Sequence, residues 1–260
     1  MSAPPLSEFW FSLYHAPCLG KRPLLFSRRA GIINVAKGRY LYSALLVHSV
    51  EEKRRVAEGR FAPFLSNGGR RMDAPALFDL LADGPVIAAV KDGDGLSAAL
   101  ESSVPVIFLL YGDILTVGEA AARCHAAGKA VFVHLDLVEG LAQKEIAADF
   151  IARSTEADGI ISTRPALTRR ARELGLLAVQ RIFLLDSMAL RNVERHFSPD
   201  AADLIEVLPG LMPKIIRKIC ISTGKPVIAG GLISDKEDVT GALGAGAIAV
   251  SSTNPAVWNM

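Results

Sequence analysis

Short apolar runs recur between Pro85 and Met260, each followed by Gly, Asp or Ser and then by a helix-compatible segment. The runs are nearly continuous in Val, Ile, Leu and Ala, which is typical of parallel strands buried on both faces. They are PVIAAVK from Pro85, VPVIFLLY from Val104, AVFVHLD from Ala130, ADGIIS from Ala157, LAVQRI from Leu177, DLIEVLP from Asp203, PVIAGG from Pro226 and GAIAVS from Gly246. Strands alternating with helices at this spacing predict βα units. The predicted fold class is α/β, a compact (β/α)8 TIM-type barrel.

Composition narrows the class without pointing to a chemistry. Half of the residues are apolar and 22% are charged, an ordinary globular balance. The cysteines, Cys18, Cys124 and Cys220, are odd in number and form no CxxC, which favours reduced thiols over a disulfide framework or a metal site. No apolar run reaches the roughly 18 to 20 residues of a spanning helix, and the first residues lack the features of a signal peptide. We therefore expect a cytoplasmic protein that has no membrane partner.

The first 71 residues differ from the rest in charge. They carry 12 Lys and Arg against 4 Asp and Glu, a net charge of +8, whereas residues 72–260 carry 17 against 23, a net charge of −6. Such asymmetry can mark a nucleic-acid-binding arm. The alternative is that this extension, whose order the sequence does not define, is not a functional module, because it shows no repeat and no match to the βα pattern. The predicted barrel domain is residues 72–260.

A coding argument favours that alternative. The segment from Gly68 to Met72 can be encoded by an unbroken purine run with GGAGG-like codons shortly before ATG, which resembles a bacterial ribosome-binding site. Our hypothesis is that Met72 is the natural start and that residues 1–71 are translated upstream sequence. The intact mass of the native protein tests it, since a species starting at Ser2 contradicts it.

Charged residues stand inside or just after the apolar runs of the predicted barrel, at Lys91, Asp136, Arg181 and Glu206. Sites in such barrels lie at the carboxyl ends of the strands, so these side chains should converge on one mouth. Charges there are costly unless they are paired or face a ligand. Two interpretations follow: a ligand site, which we favour, or a buried network of mutually paired charges.

The two last runs predict a phosphate site. Gly230 and Gly231 end the seventh strand, where glycine lets backbone N–H groups approach a ligand closely. Ser251 and Ser252 end the eighth and supply hydroxyls, and a short helix can begin at Pro255. Barrels build phosphate cradles from these two loops and a helix N-terminus, so the predicted ligand carries a phosphate.

Several segments together resemble a known family. They are PVIAAVKD, VIFLLYGDILTVGE, GKAVFVHLDLVEGLAQKE, ADGIISTRPAL, GLLAVQRIFLLDSMAL, IEVLPGLMPKII and PVIAGGLISDKEDV. They are similar to the glycerol-3-phosphate-responsive antiterminators, which regulate bacterial glycerol uptake operons. The resemblance runs from about Asp73 to Trp258, and FVHLDLVEG and EVLPGLMPK are its most specific parts.

The resemblance implies a regulator and not a catalyst. Family members bind glycerol 3-phosphate and act on the leader mRNA of glycerol genes, where they prevent formation of a terminator. Carried onto this chain, it implies that the phosphate is held by Gly230, Gly231, Ser251 and Ser252. It also implies that Lys91, Asp136, Arg181 and Glu206 line the rest of the mouth, with the carboxylates accepting from the glycerol hydroxyls. No cofactor is implied.

RNA binding has weaker support in the residues. The barrel part is net acidic and contains no RNP or KH signature. The best candidate is the cluster Arg164, Arg169, Arg170 and Arg172, which can meet phosphates bidentately. A charge cluster on a barrel helix is more often a solvated outer face, so the resemblance, and not the cluster, supports RNA as a partner.

Two further interpretations stay open at this stage. His134 and Asp136 fall on the same side of a strand and Glu139 follows, but without a third clustered ligand we expect no metal and a hydrogen-bonded histidine inside the barrel. The second function class is a phosphate-handling barrel enzyme acting on a three-carbon phosphate, with Lys91 and Glu206 as base and acid. The fold alone does not separate the two classes, because barrels host both.

Overall fold

The computed structural model describes residues 72–260 and two short strands before them, Ile32–Val35 and Gly38–Leu41. Its contacts divide the chain into two compact units, Met1–Pro63 and Phe64–Met260. In the first unit the two strands pair antiparallel, from Ile32 opposite Leu41 to Val35 opposite Gly38. The basic extension of residues 1–71, whose order the sequence does not define, and the hypothesis of a start at Met72 otherwise lie outside the described residues.

The second unit contains a closed barrel of eight parallel strands, which confirms the predicted TIM-type fold. Each strand pairs with the next along the chain, and the eighth closes the barrel on the first. The strands are β1 (Val86–Val90), β2 (Val106–Leu109), β3 (Ala130–His134), β4 (Gly159–Ser162), β5 (Leu177–Phe183), β6 (Leu204–Leu208), β7 (Val227–Gly230) and β8 (Ala249–Ser252). All eight lie within or across the apolar runs, because those runs can be buried on both faces.

Helices alternate with the strands. They are α1 (Ala74–Asp83), α2 (Gly93–Glu101), α3 (Val117–Ala126), α4 (Ile146–Ser154), α5 (Pro165–Glu173), α6 (Ser187–His196), α7 (Pro213–Thr223), α8 (Lys236–Gly244) and α9 (Pro255–Trp258). Short 3-10 turns occupy Leu135–Leu137 and Pro199–Ala201. The predicted short helix after the eighth strand is therefore present, with Asn254 as its N-cap.

Two hydrophobic cores follow from the alternation of side chains along each strand. One lies between the strands and the outer helices. The other fills the barrel interior, where the rings of Phe108 and Phe132 pack with their centroids 5.6 Å apart. Gly159 makes room for this pair, because a Cβ there would lie 2.3 Å from Cε1 of Phe132. The interior is thus filled by packed apolar side chains, which we call the apolar floor.

Helix α1 closes the amino-terminal end of this interior. Asp73 caps the helix by accepting from the backbone N–H of Ala76 at 3.0 Å, as a capping residue before the first turn should. Leu77 and Leu81 on its buried face pack into the interior core. We call the opposite end of the barrel, at the carboxyl ends of the strands, the mouth.

At the end of the barrel opposite the mouth, the carboxylate of Asp158 connects the starts of two strands. Oδ2 of Asp158, just before β4, accepts from the backbone N–H of Val131 at 2.9 Å and lies 2.8 Å from Nε2 of His125. The hydrogen bond to Asp158 raises the pKa of His125. The amino-terminal end of such barrels serves stability, so we assign His125 a structural role. Its paired ring differs from that of His134, the histidine at the mouth.

Candidate functional site at the barrel mouth

Three buried side chains form what we call the polar layer, directly above the apolar floor. They are Arg181 from β5, Glu206 from β6 and Ser251 from β8, with 7%, 0% and 3% of their surfaces exposed. Arg181 and Glu206 are paired in the strand register and each stands two residues after a member of the interior core, Val179 or Leu204, so both point into the barrel. The structure thus brings together two of the charged residues and one of the serines that the sequence predicts for the site.

Short hydrogen bonds connect the polar layer. Nε of Arg181 donates to Oε2 of Glu206 at 2.6 Å, and Oγ of Ser251 donates to Oε1 of the same carboxylate at 2.6 Å. Both oxygens of Glu206 are therefore engaged, each with lone-pair capacity left for another donor. The bond to Glu206 uses one of the five N–H donors of the Arg181 guanidinium. A buried ion pair with spare donors and acceptors can serve as structure and as a ligand platform together.

Gly230 is required by the geometry of this layer. A Cβ at position 230 would lie 2.6 Å from Oγ of Ser251 and 2.7 Å from Oε1 of Glu206. Any side chain at this position would displace the hydrogen bond between those two groups. The glycine therefore makes room for the polar layer itself.

The backbone turns sharply after Gly230. Gly231 has a φ of +75° and Leu232 a φ of +65°, and Leu232 is the one non-glycine residue with a positive φ in the described part of the chain. Leucine avoids this region because its Cβ crowds the backbone, and its side chain here is 70% exposed. Strained backbone of this kind clusters at ligand sites. It lies in one of the two loops predicted to hold a phosphate.

Ser252 has a different environment from Ser251. Its hydroxyl donates to the backbone carbonyl of Ile233 at 2.8 Å and accepts from the backbone N–H of Asn254 at 3.1 Å. Its own carbonyl accepts from Nε1 of Trp258 at 2.8 Å. Ser252 therefore joins the loops after β7 and β8, and the prediction that it touches a phosphate stays a prediction.

Asp136 lies just beyond β3 and is held by the end of β4. Its carboxylate accepts from Oγ of Ser162 at 2.8 Å and from the backbone N–H and the hydroxyl of Thr163, both at 2.7 Å. Burial pushes the pKa of Asp136 upward, but these hydrogen bonds outweigh burial and hold the pKa below its ordinary value. The side chain is a fixed anion at the mouth, with part of its acceptor capacity already used.

Lys91 follows β1 at the mouth and its side chain is exposed. It is therefore not a member of the buried polar layer. The next residue, Asp92, caps α2 by accepting from the backbone N–H of Gly95 at 2.7 Å. The structure fixes the backbone beside Lys91, while the ammonium group stands in solvent at the rim, where it can reach an anion that enters.

His134 is a buried histidine of the mouth. It is the last residue of β3, it is 3% exposed, and it lies inside the barrel as expected. Nδ1 of the ring has no hydrogen-bond partner among the described residues, and the expected hydrogen bond to this histidine stays a prediction. Burial, followed by the nearby charge of Arg181, lowers the pKa of His134 to about 4, so the ring is neutral near pH 7. In the sequence, the one signal for this burial is that His134 stands two residues after Phe132, on the inward side of the strand.

The four predicted RNA-contacting arginines do not share one environment. Arg170 binds Asp149 with two donors, at 3.0 and 2.8 Å. Arg172 donates to Oδ1 of Asp203 at 2.9 Å. Arg164, the N-cap of α5, is exposed at the mouth, where it contacts Gln143 and lies 3.9 Å from Asp136. Arg169 is exposed on α5. The first two have donors already committed to carboxylates, and the last two face solvent.

Neither a metal-ligand cluster nor a membrane-spanning helix is found among the described residues. Residues 72–260 contain no group of three or more His, Cys, Asp or Glu side chains placed to hold a metal ion. Cys124 and Cys220 are free thiols, and Cys124 is buried. Among the helices given above, none is long and apolar enough to cross a membrane.

The fold and this arrangement define a (β/α)8 barrel with a charged, buried layer at its mouth. A family model described as glycerol-3-phosphate responsive antiterminator matches residues 86–258. An Escherichia coli (strain K12) protein called uncharacterized protein YgcP is 41% identical over 184 residues, which are 71% of this chain and 96% of that protein. The chain therefore belongs to the glycerol-3-phosphate responsive antiterminator family.

Two solved structures agree with this assignment. The crystal structure of a glycerol uptake operon antiterminator regulatory protein from Listeria monocytogenes str. 4b F2365 is 34% identical, with a TM-score of 0.65, over 68% of this chain and 95% of that one. A glycerol uptake operon antiterminator-related protein from Thermotoga maritima MSB8 is 35% identical, with a TM-score of 0.59, over 67% of this chain and 98% of that one. The family resemblance and the fold expected from the sequence are confirmed.

Proposed function

We propose that this protein binds glycerol 3-phosphate at the barrel mouth and, in response, controls transcription termination in the leader mRNA of glycerol genes. Membership of the antiterminator family supports the function. The observation that carries the location is the buried layer of Arg181, Glu206 and Ser251, for which the absence of a side chain at Gly230 leaves room. It offers a cation for an anion, and acceptors for hydroxyls, at the end of the barrel where such folds place their ligands.

In this proposal the ligand lies across the mouth. The phosphate is held by Gly230, Gly231, Ser251 and Ser252, and the charges around it are Lys91, Asp136, Arg181 and Glu206. Lys91 approaches the phosphate from the rim, and Arg181 contributes charge from below with the N–H donors that Glu206 leaves free. The carboxylates of Glu206 and Asp136 accept from the glycerol hydroxyls with their remaining lone pairs.

Titration calorimetry on the full chain tests the ligand. Glycerol 3-phosphate should bind more tightly than glycerol or inorganic phosphate, because each of these supplies only half of the contacts. Gly231→Val should abolish binding, because a β-branched side chain disfavours the positive φ at this position and its Cβ would lie 3.2 Å from Cδ2 of Leu208. Circular dichroism checks that the barrel stays folded. Unchanged affinity in the folded variant would place the phosphate elsewhere.

For the RNA partner we propose Arg164 and Arg169 as the first residues to bind, since the donors of Arg170 and Arg172 are committed to carboxylates. Filter binding to leader RNA should weaken steeply with salt, because the neutralised phosphates release counterions. Arg164→Ala with Arg169→Ala should weaken binding and reduce the magnitude of the slope by about 0.7 for each phosphate of single-stranded RNA that the variant no longer neutralises.

Lys218→Ala provides the matched control, since Lys218 on α7 is paired with Glu194 at 2.7 Å and should leave RNA affinity unchanged. An equal loss in both variants would contradict the assignment to α5. We also propose that residues 72–260 are the functional unit. A chain beginning at Met72 should then bind RNA as well as the full chain, and loss of binding in it would favour the basic arm of residues 1–71.

The hydrogen bonds to both oxygens of Glu206 favour a regulator over a phosphate-handling enzyme. A general acid at this position would have to exchange a proton while Arg181 and Ser251 hold both of its oxygens at 2.6 Å. Lys91, the corresponding base, stands exposed at the rim. Incubation with three-carbon phosphates followed by phosphorus NMR should give no turnover. Turnover without RNA affinity would reverse the choice.

A further inference from the structure

The surroundings of His134 in this barrel differ from those of His125. His125 lies at the amino-terminal end and is paired with Asp158 at 2.8 Å. His134 lies at the mouth, 3% exposed, and its Nδ1 has no partner among residues 72–260. A buried polar atom without a partner destabilises a fold, and most such atoms in proteins are satisfied. Because this unpaired atom lies at the proposed ligand site, we expect an atom of the ligand to be its hydrogen-bond partner.

The strand alternation sets where that partner would be. Ala130, Phe132 and His134 alternate along β3 toward the interior, and Phe132 belongs to the apolar floor. His134 therefore stands above the floor and inside the mouth. The strand order places β3 four positions from β7 in the ring of eight, so His134 lies on the wall opposite Gly230.

The chemistry of the ring narrows the group that fits. Burial and the charge of Arg181 both lower the pKa of His134 and keep the imidazole neutral. In a neutral ring Nδ1 is a donor or an acceptor, depending on the tautomer. A hydroxyl group satisfies either state, because it donates and accepts. A second phosphate would fit only a ring with N–H at Nδ1, and a cation only a ring without it.

We propose that His134 is the residue that recognises the polyol end of the ligand, with Nδ1 bonded to the hydroxyl most distant from the phosphate. This inference rests on the proposed binding of a three-carbon polyol phosphate at the mouth. A phosphate seated on β7 and β8 directs the rest of the molecule across the mouth toward β3. The distal hydroxyl would then be placed near Nδ1 of His134, the one buried side-chain nitrogen or oxygen among the described residues that lacks a hydrogen-bond partner.

The test compares two ligands on the full chain by titration calorimetry: glycerol 3-phosphate, and propane-1,2-diol 1-phosphate, which lacks the distal hydroxyl. The wild-type protein should prefer glycerol 3-phosphate by about 10-fold or more, the value of one hydrogen bond to a buried group. His134→Leu should lose most of this preference, because only carboxylate acceptors then remain for the distal hydroxyl. Its melting temperature without ligand should be unchanged or higher, because an unpaired buried atom has been removed.

Two further variants separate recognition from folding. His134→Asn keeps a hydrogen-bonding atom near the position of Nδ1 and should keep part of the preference. His125→Leu should lose thermal stability, since Asp158 loses one of its two hydrogen-bond partners, and should keep the full preference. The preference of His134→Asn also decides the question if His134→Leu does not fold.

The outcomes distinguish this inference from the function on which it rests. A wild-type protein that binds glycerol 3-phosphate, with either His134 variant retaining the full preference, would overturn the role of His134 alone. Equal wild-type affinity for the two ligands would also overturn it. No binding of glycerol 3-phosphate by the wild-type protein would remove the proposed function and the role of His134 together.

Discussion

The ion pair between Arg181 and Glu206 allows the sharpest test of the mouth, because structural and ligand-binding roles give different results. Glu206 is 0% exposed, so Arg181→Met leaves a carboxylate buried without its cation. Removing one partner of such a pair costs about 3 to 5 kcal/mol of the free energy of unfolding. The bond from Ser251 at 2.6 Å remains and keeps the loss from being larger. Glu206→Leu should be similarly costly, since it leaves a buried guanidinium.

The double variant Arg181→Met with Glu206→Leu should recover most of this loss. Both charges are gone, and apolar residues of similar size replace a buried pair at little net cost. The remaining deficit is about 1 to 3 kcal/mol, from the hydroxyl of Ser251 that has lost its acceptor. The coupling energy between the two positions should therefore be about 3 kcal/mol or more, at or above the upper end of the range for residues in one network.

Urea unfolding followed by circular dichroism measures the four proteins of this cycle, and calorimetry measures their affinity for glycerol 3-phosphate. All three variants should lose the ligand, including the double variant that is nearly restored in stability. Additive losses of stability would refute the coupling. A stable double variant that binds glycerol 3-phosphate normally would refute the ligand-binding role and leave the pair a purely structural feature.

Three further perturbations test the packing around the site. Burial lowers the pKa of His134 to about 4, below its unfolded value, so the titration of this residue leaves the free energy of unfolding unchanged above about pH 6.5 and lowers it as the pH falls from there toward about 4. Relative to His134→Leu, the wild type should lose up to about 1.4 kcal/mol for each pH unit in urea unfolding, and equal slopes would contradict this. Leu232→Gly should raise the free energy of unfolding by about 1 kcal/mol by relieving the positive φ, and a lower urea midpoint would argue against strain. Gly159→Ala should cost about 1 to 3 kcal/mol, because its Cβ would lie 2.3 Å from the ring of Phe132, whereas Gly93→Ala, with no atom within 4 Å, is the control and should be near neutral; an equal effect of both would refute the packing argument.

The sequence alone determined the architecture of this protein and which chain ends form its mouth. Eight apolar runs separated by helical segments have few compact arrangements, since each strand must be covered on both faces. Local signals were also sufficient for single residues. Asp73 caps α1, and a short helix begins at Pro255, because caps and first-turn prolines depend on neighbouring backbone atoms.

The tertiary structure alone decided what each polar residue at the mouth binds. Ser251 and Ser252 look alike in sequence, yet the first joins the polar layer and the second joins two loops. Strand alternation places neighbours on opposite faces, but a continuous apolar run does not show which face is inward. The mouth of a barrel is a ring assembled from eight distant segments, and hydrogen-bond partners such as Arg181 and Glu206, 25 residues apart, are set by strand register. For the same reason the unpaired atom of His134 became visible only when every neighbour had a position.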